Sequence, residues 1–131
     1  MGRSELREHI FKMIFGIEFA SIEQVEDQLV LYLDQLEDVK EKDYQYMLEK
    51  AKAVFEKVSE IDELINQNTT GWKTGRMNKV DLSILRLAVY EMKWDEDVPV
   101  KVAINEAVEL AKRFSGDEGP SFINGVLAKL A

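Results

Sequence analysis

No cysteine occurs in the 131 residues, so disulfides, thiolate nucleophiles and cysteine-bound metals are all excluded, and the redox compartment is left open. There is one histidine, His9, which argues against zinc and against a di-iron carboxylate bundle, since the latter needs two Glu-x-x-His elements. His9 reads as a partly exposed helix residue. No run approaches the roughly 18 uncharged apolar residues of a membrane span. The start, Met1-Gly2-Arg3-Ser4-Glu5, lacks a secretory pattern, so a cytoplasmic protein is expected. No Walker loop, Gly-x-Gly-x-x-Gly or Gly-x-Ser-x-Gly is found. Carboxylate pairs such as Glu23/Asp27 and Glu56/Glu60 share helix faces, and Asp95-Glu96-Asp97 lacks the spacing of a calcium loop and reads as a polar connection. No catalytic residue, metal or cofactor is expected, and the chain is read as a non-enzyme.

Basic charge is also scarce, with 17 Lys and Arg against 25 Asp and Glu, a formal charge of −8. Phosphate binding needs cations, but the deficit is local. Residues 1–20 carry three basic and three acidic groups, residues 21–66 five and thirteen, and residues 67–131 nine of each. The acidic middle reads as a solvated face, and the two neutral ends remain able to meet phosphate where their cations cluster.

What is present is helical periodicity, without sustained alternation anywhere. A first helix over about 4–20 places Leu6, Ile10, Met13, Ile14 and Ile17 on one stripe. Phe11, Phe15 and Phe19 lie beside it, so the helix needs cover on two sides. Ser21-Ile22-Glu23-Gln24 reads as a capping box opening a second helix with Ile22, Val25, Leu29, Leu33 and Leu36 inward. Asp43 reads as the cap of a third, with Met47, Ala51, Val54, Val58, Ile61 and Ile65 inward and a break near Ser59. Residues 66–75 form a connection. Lys79 to Lys93 follows with Leu82, Leu85, Val89 and Met92 inward. Pro99 restarts a helix with Val100, Ile104, Ala107, Val108, Ala111 and Phe114 as its stripe, ended by Gly116. Gly119-Pro120-Ser121 opens the last. Asn105 and Asn124 interrupt apolar stretches and read as buried amides that fix helix register. Gly125 reads as a point of close helix packing, since glycine inside a helix costs about 1 kcal/mol relative to alanine. The sum is one all-α domain, residues 1–131, of six or seven helices and no strand.

Three stretches carry more than periodicity. They are Asp97-Val98-Pro99-Val100-Lys101-Val102-Ala103-Ile104-Asn105-Glu106-Ala107-Val108-Glu109-Leu110-Ala111-Lys112-Arg113-Phe114, then Phe122-Ile123-Asn124-Gly125-Val126-Leu127-Ala128-Lys129, and Val80-Asp81-Leu82-Ser83-Ile84-Leu85-Arg86-Leu87-Ala88-Val89-Tyr90-Glu91. They resemble the NusB family of transcription antitermination factors, strongly over residues 80–129, moderately over 3–20 and weakly in the acidic middle. The resemblance implies two small helical bundles. It also implies pairing with NusE, a small-subunit ribosomal protein, and binding of the single-stranded boxA element of nascent RNA. The pair then acts on transcribing RNA polymerase, notably in ribosomal RNA operons.

The family's arginine-rich run, Arg-Arg-x-Ala-Arg, corresponds to Arg3-Ser4-Glu5-Leu6-Arg7. Arg3 and Arg7 are kept as implied RNA contacts, and Glu5 replaces a basic group. Phe15 matches an aromatic position at the junction of the RNA and partner surfaces, and Asp81 an acidic position facing NusE. Glu118 and Phe122 match the loop and helix start that border RNA, and Lys112 and Arg113 are added on charge alone. Bases stack on aromatic rings while cations hold the backbone, although core packing accounts equally for Phe15 and Phe122. Two other readings stand beside this one. The fold also serves as the helical domain of ribosomal-RNA cytosine methyltransferases, which need a further catalytic domain absent from these residues. A purely protein-binding adaptor is the other. Whether the free protein is a monomer or a homodimer is left open by the resemblance, and a homodimer is expected to cover the first helix.

Overall fold

A computed structural model describes residues 1–17, 20–71 and 73–131, the side chain of Ile22 excepted. The expectations for Phe19 and for the side chain of Ile22 fall outside those residues. Among the described residues there are seven α-helices, two short 3₁₀ turns and no strand. The chain divides into two compact units, 1–56 and 57–131.

The first unit holds α1 (Arg3–Ile17), α2 (Val25–Asp34) and α3 (Glu41–Glu56), which pack on one another. α1 buries Ile10, Phe11, Met13, Ile14 and Ile17, α2 buries Val25, Leu29 and Leu33, and α3 buries Met47, Ala51 and Val54. Each set follows the helical period, so the apolar stripes converge on one core. Leu6 and Leu36 are only half-buried, and Leu36 lies beyond the end of α2. At the start of the 3₁₀ turn Ile22–Gln24, the Gln24 side chain accepts the Ser21 backbone N–H at 3.4 Å, the return arm of a capping box. Asp43 is not the cap of α3, which already begins at Glu41. Its carboxylate instead lies 3.1 Å from the Met1 amine. Between α2 and α3, Asp38 turns the chain with φ +57°, a left-handed conformation that a short polar side chain tolerates.

The second unit is built around α5 (Lys79–Trp94), on which α4 (Val58–Gln67), α6 (Val100–Phe114) and α7 (Gly119–Leu130) pack. The break between α3 and α4 falls at Lys57 rather than near Ser59. α5 is buried continuously from Asp81 to Val89, and Ser83, Arg86 and Glu91 are buried with it while Met92 is half-exposed. Arg86 is held by a two-pronged bond to Asp62 of α4, at 2.9 and 2.7 Å, and Ser83 donates to the Lys79 carbonyl at 2.7 Å. Lys93 donates to the Leu130 carbonyl at 2.8 Å, placing a cation where the last turn of α7 leaves acceptors open.

The buried side of α6 is Ala103, Ala107, Leu110 and Ala111, rotated from the expected stripe. Val100 is exposed and Ile104, Val108 and Phe114 are half-buried, because the alanines let α5 and α7 approach closely and the larger residues flank that contact. Asn105 and Asn124 are exposed, which corrects the expectation of buried amides. Gly125 is exposed too, with nothing within 4 Å of the place a Cβ would take, so close packing does not explain it. The close approach is at Gly119, where a Cβ would fall on the Ser115 side chain. No described helix is long and apolar enough to cross a membrane.

Candidate functional site

The second unit contains a cleft of about 580 Å³ where the start of α5, the turn after α6 and the start of α7 meet. Asn78 caps α5, its side-chain oxygen accepting the Asp81 N–H at 2.8 Å. The Asn78 amide donates back to Asp81 Oδ2 at 2.9 Å, and the Ser115 hydroxyl donates to Oδ1. Asp81 is therefore held at both oxygens and is only 8% exposed, yet it lines the cleft. Asp117 and Glu118 line it as well, with Met77 and the half-buried ring of Phe122 supplying apolar wall, and among the described residues that line it there is no Lys or Arg. Three carboxylates beside an aromatic ring accept hydrogen bonds and favour cations or amino groups. They repel phosphate.

Positive charge in this unit stands at the end of α6, where Lys112 and Arg113 are both exposed. Lys112 pairs with Glu109 at 3.2 Å, an exposed ion pair worth about 0–1 kcal/mol and easily exchanged for another anion. The Arg113 guanidinium lies 5.0 Å from the centre of the Phe114 ring, a cation–π contact. So the structure brings Asp81, Glu118 and Phe122 to one cleft and leaves Lys112 and Arg113 on the helix that leads into it.

The remaining sequence candidates belong to the first unit and lie on α1. Arg3 is exposed at its first turn. Arg7, one turn later, is only 6% exposed. Phe15 is 36% exposed, an uncovered aromatic near the C-terminal end of the same helix. No group of three or more His, Asp or Glu side chains suited to a metal ion occurs among the described residues.

A family model for NusB matches residues 4–131, nearly the whole chain. The chain belongs to the NusB family. It is similar to the transcription antitermination protein NusB of Agathobacter rectalis, 51% identical over 131 residues that cover all of both chains. The NusB of Lachnoclostridium phytofermentans is 47% identical, over 99% of this chain and 98% of its own. Among solved structures, NusB of T. maritima superposes with a TM-score of 0.90 at 33% identity, covering 100% of this chain and 91% of that one. A structure of the antitermination factors NusB and NusE in complex with dsRNA superposes at 0.85 over 98% of this chain and 94% of that one. At 20% identity that likeness speaks for the fold alone.

For this NusB family member, sequence reasoning passed over Asn78 and Ser115, the two residues that fix the Asp81 carboxylate. Asn78-Lys79-Val80-Asp81 did carry a signal, a capping residue with an acid three positions on. Ser115 carried none, because only the fold brings position 115 to position 81. The apolar wall from Met77 was likewise hidden in what reads as loop.

Proposed function

We propose that the protein is an RNA-binding antitermination factor that pairs with NusE and binds the boxA element of nascent RNA, notably in ribosomal RNA operons. It works in the cytoplasm as part of the transcribing polymerase complex, does no covalent chemistry of its own, and needs no cofactor. The observation that carries this reading is the similarity along the full chain to proteins named for transcription antitermination, at 51% and 47% identity.

The exposed cations Arg3, Lys112 and Arg113 suit phosphate, and the exposed ring of Phe15 and the half-buried ring of Phe122 suit unpaired bases. Glu118, in a cleft without cations, suits the amino edge of a base rather than the backbone. Asp81, fixed by Asn78 and Ser115, offers NusE a pre-oriented carboxylate in the second unit, and Phe15 is the candidate partner contact of the first. Arg7 is largely enclosed, so a contact from it to RNA draws on the small part of its guanidinium surface that remains open. Filter binding of a boxA oligonucleotide, with and without NusE, tests the reading. Retention of RNA that NusE strengthens is expected, and no retention by the pair would overturn it.

A further inference from the structure

A groove of about 220 Å³ runs between α1 and α2 in the first unit. Met13, Gly16 and Ile17 of α1 line it with Leu31 and Tyr32 of α2. An apolar cavity of about 150 Å³ already holds a benzene ring, so this space takes one large apolar side chain. Glycine weakens a helix, yet neither usual reason for glycine applies at position 16. Its backbone is not left-handed, and no atom lies within 4 Å of the place a Cβ would take. What the missing side chain does is keep the groove open. Across from it Leu31 is 53% exposed, the most exposed large apolar residue among those described. The two walls are tied, since the Tyr32 hydroxyl is hydrogen-bonded to His9 Nδ1 at 2.7 Å. The groove is thus preformed and apolar, with an uncovered leucine on its wall.

Charge decides what can enter. Residues 13–39 hold seven acids and form the longest stretch of the chain without a Lys or Arg. Asp27 and Asp34 stand one turn on either side of Leu31 on α2, and both are exposed. Asp34 accepts from the Tyr44 hydroxyl at 3.0 Å, and no cation pairs with Asp27 among the described residues. The one cation in the lining, Lys12, is matched by Glu8 at 2.9 Å. Such a face repels RNA phosphate. Two-fold pairing with a second copy would set the same acidic stretch against itself. A basic protein suits it. NusE, as a ribosomal protein, must carry Lys and Arg to hold ribosomal RNA. Phe15, the partner contact of this unit in the reading above, is the residue next to Gly16.

We infer that the α1–α2 groove seats one apolar side chain of NusE, flanked on NusE by Lys or Arg that meet Asp27 and Asp34. This rests on the NusE pairing proposed above. Purified NusE is titrated into the wild-type chain, Gly16→Leu, Gly16→Ala, Leu31→Ala and Asp27→Lys, with thermal unfolding followed for each. Gly16→Leu fills the groove without straining α1, so its thermal midpoint should hold or rise. Its NusE affinity should fall about tenfold to a hundredfold, the worth of burying one large aliphatic side chain. Gly16→Ala gains helix propensity but fills little of the groove, and should stay within about threefold of wild type. Leu31→Ala should weaken binding about three- to tenfold. Asp27→Lys should slow association about threefold or more at low salt, an effect that fades as salt rises. Wild-type NusE affinity in a folded Gly16→Leu chain overturns the inference. The pairing reading then stands if wild type still binds NusE. Unchanged NusE affinity together with a shift from dimer to monomer in Gly16→Leu overturns it too, and assigns the groove to a second copy. If the wild-type chain does not bind NusE, the pairing reading fails and the inference with it.

Discussion

Replacing Gly119 by alanine places a methyl group at the first position of α7, where the structure has no room for one. The added Cβ would fall on the Ser115 hydroxyl, lie 2.5 Å from the Ser115 Cβ and come within 3.5 Å of Asp81 Oδ1. A hydroxyl can rotate away, but this one is engaged by Asp81, and giving up a bond to a charged acceptor costs about 1.5–3 kcal/mol. The Ser115 Cβ cannot rotate away at all, so the backbone of the 115–119 turn must shift as well, at an overpacking cost of about 1–3 kcal/mol. The two overlap, and the expected total is about 2–4 kcal/mol. Against a typical stability of about 5–15 kcal/mol the variant still folds. Urea denaturation followed by circular dichroism measures the loss, and titration calorimetry with NusE shows whether the displaced Asp81 carboxylate matters to the partner. Adding Ser115→Gly to Gly119→Ala should restore the steric part of the stability but not the part due to the hydrogen bond. A Gly119→Ala protein within about 0.5 kcal/mol of wild type, the range of an ordinary surface change, would refute the packing argument for the cleft.

Asp62→Ala removes both bonds to Arg86, whose side chain is mostly enclosed, and is expected to cost about 2–4 kcal/mol by urea denaturation; a change below 1 kcal/mol contradicts it. Asp81→Lys should weaken NusE binding in a pull-down. Because Asp81 also accepts from Asn78 and Ser115, it should lower thermal stability too, and unaltered NusE binding would leave Asp81 a structural group only. Burial, and secondarily the charge of Glu8, raise the Tyr32 hydroxyl above its ordinary 10.0. The folded chain then keeps this proton at pH values where the unfolded chain loses it, so the contribution is whole below pH 10 and fades as pH rises toward the raised value. Tyr32→Phe should lessen the alkaline loss of stability, and an identical alkaline profile would contradict the assignment.

Helix positions were legible where one stripe faces one core. Ile10, Met13 and Ile14 on α1, and Leu82, Leu85 and Val89 on α5, repeat at helical spacing and are buried. Legibility failed where packing is decided by small residues or by distant partners. On α6 the contact surface is alanine, so hydropathy pointed to Val100 and Ile104, which flank it. Asn105 and Asn124 looked like buried amides because their neighbours are apolar, but both side chains point to solvent. The inward set read for α5 was Leu82, Leu85, Val89 and Met92, yet Ser83, Arg86 and Glu91 are buried as well, because α4, α6 and α7 pack around that helix. The candidate site was legible in part. Asp81, Glu118 and Phe122 came from the family resemblance and meet in one cleft, while Asn78 and Ser115 emerge only when the fold is in hand.

The most direct test of the central claim is the salt dependence of boxA RNA binding, for the chain alone and with NusE. On the proposed function, phosphate is met by three exposed cations, Arg3 of the first unit and Lys112 and Arg113 of the second, while Arg7 is only 6% exposed. At about −0.7 per phosphate neutralised on a single strand, three contacts predict a slope of log affinity against log salt near −2 for the isolated chain. With NusE, binding should tighten and the slope should steepen as the partner adds its own cations. Tight binding by the chain alone with a slope of about −6 would contradict the account, since that many phosphate contacts exceed the exposed cations assigned here.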